Sequence, residues 1–273
     1  MTLPYEKHQE LKNISRNIRR HIIEMTAEAG SGHPGGSLSC ADILSVLYFH
    51  VMRINPQDPL WPDRDRLVLS KGHAAPALYA ALAERGYFPK KELLKLRKFG
   101  AILQGHPDMN STPGLDMTTG SLGQGLSVAN GMALAARIDN RDYRVYVILG
   151  DGEAEEGQVW EAAMTSSHYK LDNLMVFLDY NRLQIDGPIS EIISPESFYD
   201  KFKSFGWHVL EIEGHDIGQI VESVEQAKVT KGKPTAVIAH TIKGKGVAFM
   251  ENQVGWHGKA PTREQAEEAL KAL

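Results

Sequence analysis

No disulfide can form within this chain, because Cys40 is its only cysteine. The framework of a small secreted scaffold is thereby excluded, and a reducing compartment, the cytoplasm, is the expectation. Nothing near Cys40 in the sequence suggests a base, so it reads as buried filler rather than a nucleophile. No apolar run approaches the length needed to span a bilayer. The N-terminal stretch MTLPYEKHQELKN is polar and has no apolar segment of the signal-peptide type. A surplus of positive charge is missing too. Thirty Lys and Arg face 34 Asp and Glu, a net charge of −4, which makes no electrostatic case for nucleic acid. The densest basic cluster, residues 90–98, alternates with leucines and reads as the wet face of a helix. There is no internal repeat, no low-complexity segment and no G-x-x-x-x-G-K-[ST] loop, so a P-loop nucleotide site is excluded.

What is present is the ordinary composition of a globular chain, 42% hydrophobic and 23% charged. Its length suits a single α/β domain over residues 1–273. Leu11, Ile14, Ile18, Ile22 and Met25 repeat at helical spacing and predict a helix over 6–29. Gly30-Ser-Gly-His-Pro-Gly-Gly36 ends it. Ser37 or Ser39 is placed to cap a helix over 41–52. Residues 55–66 read as a surface connection. Leu67-Val-Leu69 predicts a strand, followed by Ser70-Lys-Gly-His-Ala74 and an alanine-rich helix to about residue 85. A short helix over 90–99 precedes the irregular stretch 100–120, a length that is often functional. Gly120-Ser-Leu-Gly-Gln-Gly125 opens a helix over 126–137. Further helices are expected over 197–205 and 216–228, and strands over 207–212 and 234–240. Thr262 and Gln265 offer a capping box to a last helix over 263–270. At least four parallel strands with intervening helices make a doubly wound, mostly parallel α/β sheet.

The most informative stretch runs from residue 145 to residue 181. Val145-Tyr-Val-Ile-Leu149 leads into Gly150-Asp-Gly152, a periodic segment follows, and a second strand over 174–178 ends in Asp179-Tyr-Asn181. In an open parallel sheet, ligands bind at the carboxyl ends of strands. Asp151 offers a carboxylate oxygen and Asn181 an amide oxygen. Two such ligands do not cage a cation, but they suit Mg²⁺, which keeps water and phosphate oxygens in its octahedron. A helix beginning after Gly152 would add its N–H groups to that phosphate. The competing reading is an ordinary turn in which Asp151 caps the next helix. His73, at a strand end, is either a ligand-facing group or a helix cap. Lys243-Gly-Lys-Gly246, after the last strand, is either a phosphate clamp or a mobile loop.

Gly-Asp-Gly followed by Asn181 resembles the thiamine diphosphate motif of many thiamine-dependent enzymes. Gly32-His33-Pro34-Gly35, Ser70-Lys71-Gly72-His73-Ala74, Gly105-His106-Pro107, Gly120 to Gly125 and Trp256-His257-Gly258 resemble, in the same order, the N-terminal half of transketolase. The resemblance covers nearly the whole chain. It implies a thiamine diphosphate-binding fold and a magnesium ion held by Asp151, Asn181 and the backbone carbonyl of Leu183. It implies a cofactor site containing His73, Ser121, Leu122, Gly123, Gly152, Glu156, Asn181, Ile185, Ile242 and His257. Within that set, Ser121 to Gly123 hold the aminopyrimidine side, and Ile185 and Ile242 form the apolar wall. The family usually has a proline where Ser121 stands, a difference that bears on loop stiffness. His33, His73, His106 and His257 are the implied catalytic residues, orienting sugar hydroxyls and relaying protons. Glu156 resembles an acidic residue near the family's subunit interface, with a link between active sites as its implied role.

The implied reaction moves a two-carbon ketol unit from a ketose phosphate to an aldose phosphate, in carbohydrate metabolism of the pentose phosphate kind. The family's activating glutamate belongs to a second domain, for which this sequence has no candidate. The expectation is therefore the N-terminal subunit of a two-chain transketolase. Its partner would be a C-terminal, pyrimidine-domain subunit, in a heterotetramer with two copies of each, acting on sugar phosphates and on neither nucleic acid nor membrane. A split enzyme for an unusual sugar would read the same way. Two alternatives are the α subunit of a 2-oxo acid dehydrogenase-like enzyme and a non-catalytic assembly subunit.

Overall fold

The computed structural model describes residues 3–273; Met1 and Thr2 of the polar N-terminal stretch lie outside the described residues. α1 (Tyr5–Ala29) forms where the apolar spacing predicts it. It buries Leu11, Ile18, Ile22 and Met25 and stops at Gly30, whose φ of 60° is left-handed. α2 (Pro34–Ser39) and α3 (Ala41–Val46) follow. The helix expected to run to residue 52 changes its hydrogen-bond pattern at Leu47. A π-helical turn, Leu47–Val51, closes with Met52 N donating to Leu47 O at 2.8 Å. Arg85 Nε donates to the Tyr48 carbonyl at 3.1 Å, which draws that carbonyl out of the regular ladder. Neither serine caps α3. Ser37 Oγ bonds the His33 carbonyl at 2.7 Å and Ser39 Oγ bonds Asp179 Oδ2 at 2.6 Å.

β1 (Arg66–Leu69) leads through a 3₁₀ turn to α4 (Ala75–Arg85). The helix expected over 90–99 is a 3₁₀ turn, Lys90–Lys95. It is cut short where Arg97 takes a left-handed φ of 62° and its N–H donates to Leu103 O. α5 (Gly125–Ile138), β2 (Val145–Gly150), α6 (Gly157–His168) and β3 (Leu174–Tyr180) form the central run. Then come α7 (Ile189–Ile192), α8 (Phe198–Ser204), β4 (His208–Glu213), α9 (Ile217–Val229), β5 (Thr235–His240) and α10 (Arg263–Ala272). The capping box at Thr262 and Gln265 is present.

All five strands are parallel, in the order β1-β2-β3-β5-β4. Strand residues alternate between two cores. Val145, Val147 and Leu149 pack with α5, α6 and α8, while Tyr146 and Ile148 pack with α1, α3, α4 and α9. Helices on both faces bury β2, β3, β5 and most of β1, which is why those strands read as apolar runs, while the edge strand β4 keeps Glu211 and Glu213 exposed. Parallel strands put all carboxyl ends on one edge. The strand order makes the tips of β1, β2, β3 and β5 immediate neighbours there. Among the described residues no helix is long and apolar enough to cross a membrane.

Candidate active site

The four adjoining tips enclose a cavity of about 340 Å³. At the tip of β2, Asp151 is 2% exposed. Its Oδ1 accepts from Gly152 N at 2.8 Å and its Oδ2 from the backbone N of Arg182. That second bond ties it to the residue next to Asn181 at the tip of β3. Asn181 Oδ1 accepts from Leu183 N at 3.1 Å, so the amide oxygen and the Leu183 backbone share one turn. Burial, with the Asp179 charge next in weight, pushes the Asp151 carboxyl up to about 7. A buried carboxylate with that disposition gains most from an arriving cation. The donors are all hard oxygens, and among the described residues no three His, Cys, Asp or Glu side chains group to hold a metal. This set fits a magnesium ion completed by phosphate and water, and not a caged transition metal. Gly152 keeps the cleft clear, since a Cβ there would lie 2.7 Å from Gln184 Cβ.

The turn after Gly152 differs from the sequence expectation. A 3₁₀ turn, Glu153–Glu155, intervenes, and α6 begins only at Gly157. Glu153 causes this. Its carboxylate folds back, buried, to accept from Ser70 Oγ at 2.5 Å, Gly123 N at 2.9 Å and Gly150 N at 3.0 Å. Asp151 caps no helix, because α6 has Glu156 at its N-cap position and no side-chain cap. His73 caps none either; Ala74 holds that position before α4.

Facing the oxygen set is a wall of imidazoles. The ring centroids of His73 and His257 lie 4.9 Å apart, those of His33 and His73 5.4 Å, His33 and His257 5.5 Å, and His33 and His106 6.4 Å. Burial, reinforced by nearby cationic groups, lowers His33 to about 4 and His257 to about 3. It takes His73 well below its ordinary value and lowers His106 as well. The rings are therefore neutral at pH 7, and each offers one donor and one acceptor. Among the described residues His33 Nδ1 is buried without a hydrogen-bond partner, while the His33 ring lines the cavity.

Two lysines underlie the wall, and both are 2% exposed. Lys71 Nζ donates to Gly36 O at 2.6 Å and pairs with Asp179. Asp179, wholly buried, also accepts from Ser39 Oγ at 2.6 Å and from Thr241 Oγ1. Burial works to raise Asp179, and the Lys71 charge holds it below the usual carboxylate value. Lys243 Nζ donates to Leu183 O at 3.0 Å and lies 2.9 Å from His257 Nδ1. Its burial lowers it to about 8.

Of the residues the sequence singles out, His33, His73, His106, Leu122, Asp151, Gly152, Glu156, Asn181, Leu183, Ile185 and His257 come together around this cavity. Three stand outside its wall. Ser121 is exposed on its loop. Gly123 is buried with its N–H given to Glu153. Ile242 is half-buried, its N–H donating to His215 Nε2 at 2.9 Å. Sequence reasoning passed over Lys71, Asp179 and Glu153 and left Lys243 undecided. Asp179 carried a signal, since a carboxylate ending a buried apolar strand needs a cation.

The hard-oxygen tips of the parallel sheet suit a diphosphate with its cation, and the neutral imidazoles suit hydroxyls; together they fit the class of sugar-acting diphosphate-cofactor enzymes. Comparison with known proteins gives the same class and narrows it. Residues 10–273 match the family described as "Transketolase, thiamine diphosphate binding domain". The 6-deoxy-6-sulfo-D-fructose transketolase subunit SqwG of Clostridium sp. (strain MSTE9) is 50% identical over 98% of this chain and 98% of its own length. An apulose-4-phosphate transketolase subunit of Phocaeicola vulgatus is 46% identical over 97% of this chain and 94% of its own. Transketolase of Homo sapiens is 45% identical over 98% of this chain, which spans 42% of the human protein. The solved transketolase from Leishmania mexicana superposes with a TM-score of 0.90 at 34% identity, covering 95% of this chain and 40% of that one. The chain belongs to the transketolase thiamine diphosphate-binding domain family.

Proposed function

We propose that this chain is the cofactor-binding subunit of a two-chain transketolase, moving a two-carbon ketol unit from a ketose phosphate to an aldose phosphate. The observation that carries this reading is the meeting of four neutral histidines with Asp151, Asn181 and the Leu183 carbonyl in one cavity. The split accords with relatives of nearly the same length that are named as subunits. A pyrimidine-domain subunit completes the site, two copies of each chain assembling in the cytoplasm. Ile185, 61% exposed, and Glu156, exposed at the cavity mouth, are available to cofactor and partner.

Asp151, Asn181 Oδ1 and the Leu183 carbonyl would hold Mg²⁺, and Lys243 would balance the diphosphate charge. When bound, thiamine diphosphate supplies the nucleophilic carbon and the electron sink for cleavage beside a carbonyl. The chain's own contribution is to hold substrate and protons. The His33 ring, on the cavity wall, takes or gives a hydrogen bond to a sugar hydroxyl. His257 Nδ1 accepts from the Lys243 ammonium, which leaves its Nε2–H to donate to a hydroxyl, and His73, stacked 4.9 Å away, adds one donor and one acceptor. His106 closes the wall from the long loop. A 2-oxo acid dehydrogenase reading would leave four hydroxyl-reading rings without a task.

The test uses purified subunits. Ketol transfer should need both chains, and calorimetry should show Mg²⁺-dependent thiamine diphosphate binding. Robust transfer by this chain alone overturns the split, and absence of cofactor binding overturns the reading.

A further inference from the structure

Lys243 and the metal set share an atom. The Leu183 carbonyl that would ligate Mg²⁺ already accepts from Lys243 Nζ at 3.0 Å. The same ammonium lies 2.9 Å from His257 Nδ1 in the imidazole wall. It is 2% exposed, so it has no alternative in solvent when it gives up that carbonyl. Lys71 is a second buried cation in the same cavity wall, and it is committed to Asp179 and the Gly36 carbonyl. The positive charge that can change partners is therefore that of Lys243.

We propose that Lys243 is a positioning residue that exchanges partners on loading: its ammonium holds the Leu183 carbonyl until a divalent cation takes that oxygen, and then turns to the cofactor's diphosphate. This rests on the diphosphate site assigned above and adds a rule of assembly to it. A metal ion arriving alone displaces a buried cation that has no new anion to meet, and two positive charges share a low-dielectric pocket. A metal ion arriving with a diphosphate brings the anion that Lys243 needs. The two ligands then bind with a coupling that runs through Lys243 in addition to their direct contact, and coupling is reciprocal.

The experiment is Mn²⁺ titration of the full chain, read by electron paramagnetic resonance, with and without thiamine diphosphate. Lys243→Met should bind Mn²⁺ alone on the order of tenfold more tightly than wild type, while its thiamine diphosphate affinity falls and the coupling between the two shrinks. A lysine that merely supports the fold gives the opposite sign, weaker Mn²⁺ binding in the variant. Equal or weaker Mn²⁺ binding by Lys243→Met overturns the proposal. Lys243→Gln, also neutral, carries the same test if the methionine variant does not fold, and Lys243→Arg should keep the wild-type Mn²⁺ affinity. Failure of wild type to bind thiamine diphosphate at all would instead count against the function assigned above.

Discussion

Replacing Lys71 with methionine tests whether a buried charge network holds the strand tips in register. Asp179 would keep its bonds from Ser39 and Thr241 and lose its cation, at a position with no exposure. Removing one partner of a buried ion pair costs about 3–5 kcal/mol. The Gly36 carbonyl, now accepting from Lys71 Nζ at 2.6 Å, would also lose its charged donor and keep only Ser39 Oγ at 3.0 Å and Cys40 Sγ at 3.5 Å. That loss is worth about 1–3 kcal/mol and overlaps the first. A destabilisation of about 4 kcal/mol is therefore expected for Lys71→Met. At roughly 2–4 °C per kcal/mol, the melting temperature should fall by roughly 8–16 °C. Adding Asp179→Asn removes the stranded charge; since Ser39 and Thr241 bond different carboxylate oxygens, the amide oxygen accepts from one hydroxyl and the amide NH₂ donates to the other. The double variant should recover about half of the loss, leaving mainly the Gly36 carbonyl without its charged donor.

The pH dependence sharpens the test. In wild type the depressed Asp179 carboxyl contributes stability above its unfolded value of about 3.9, lost as pH falls through the lower folded value. Without Lys71, burial takes over and the folded value moves above the unfolded one. The folded state then binds a proton more readily than the unfolded chain, so the variant's deficit should shrink between pH 7.5 and pH 5. Urea unfolding followed by circular dichroism at both pH values measures all of this. The reasoning fails if Lys71→Met costs under about 1 kcal/mol at pH 7.5, or if Asp179→Asn deepens the loss instead of relieving it.

Metal affinity should follow the ionisation of Asp151, whose carboxyl burial raises to about 7. Apparent Mn²⁺ affinity should climb about tenfold per pH unit below that value and flatten above it, and Asp151→Asn should bind too weakly to show the trend. Gly72→Ala would set a methyl 2.7 Å from Gly120 N and 2.8 Å from the Thr119 carbonyl carbon, backbone that has little room to yield. A loss of about 1–3 kcal/mol in denaturant unfolding is expected, and a neutral result would mean that Thr119 and Gly120 do not lie against the turn after β1. His33, lowered to about 4 by burial, keeps its stability contribution above the unfolded value of about 6.5 and loses it as pH falls toward 4. In the chain without metal or cofactor, His33→Asn should flatten that part of the stability–pH curve by roughly one proton, read from thermal unfolding across the range.

What the sequence disclosed and what it withheld follow from one distinction. Buried parallel strands announce themselves as apolar runs, because both faces are covered. β2 and β3, with Asp151 and Asn181 at their tips, were legible for that reason, and so was the ring of histidines set in glycine-rich loops. Each of those residues acts through its own chemistry at a place the local pattern marks. Lys71 and Asp179 act through each other across 108 positions, and no local pattern says that a lysine in a loop is the counter-ion of an aspartate two strands away. Glu153 is similar. Its reach to Ser70 and Gly123 delays α6 until Gly157, and helix signals in the sequence carry no record of a tertiary contact. Lys243 lay between the cases, with its strand-end position legible and its burial not. The ligand-facing residues of a site can thus be read one at a time, whereas the residues that fix their geometry exist as pairs, and a pair is visible only in the fold.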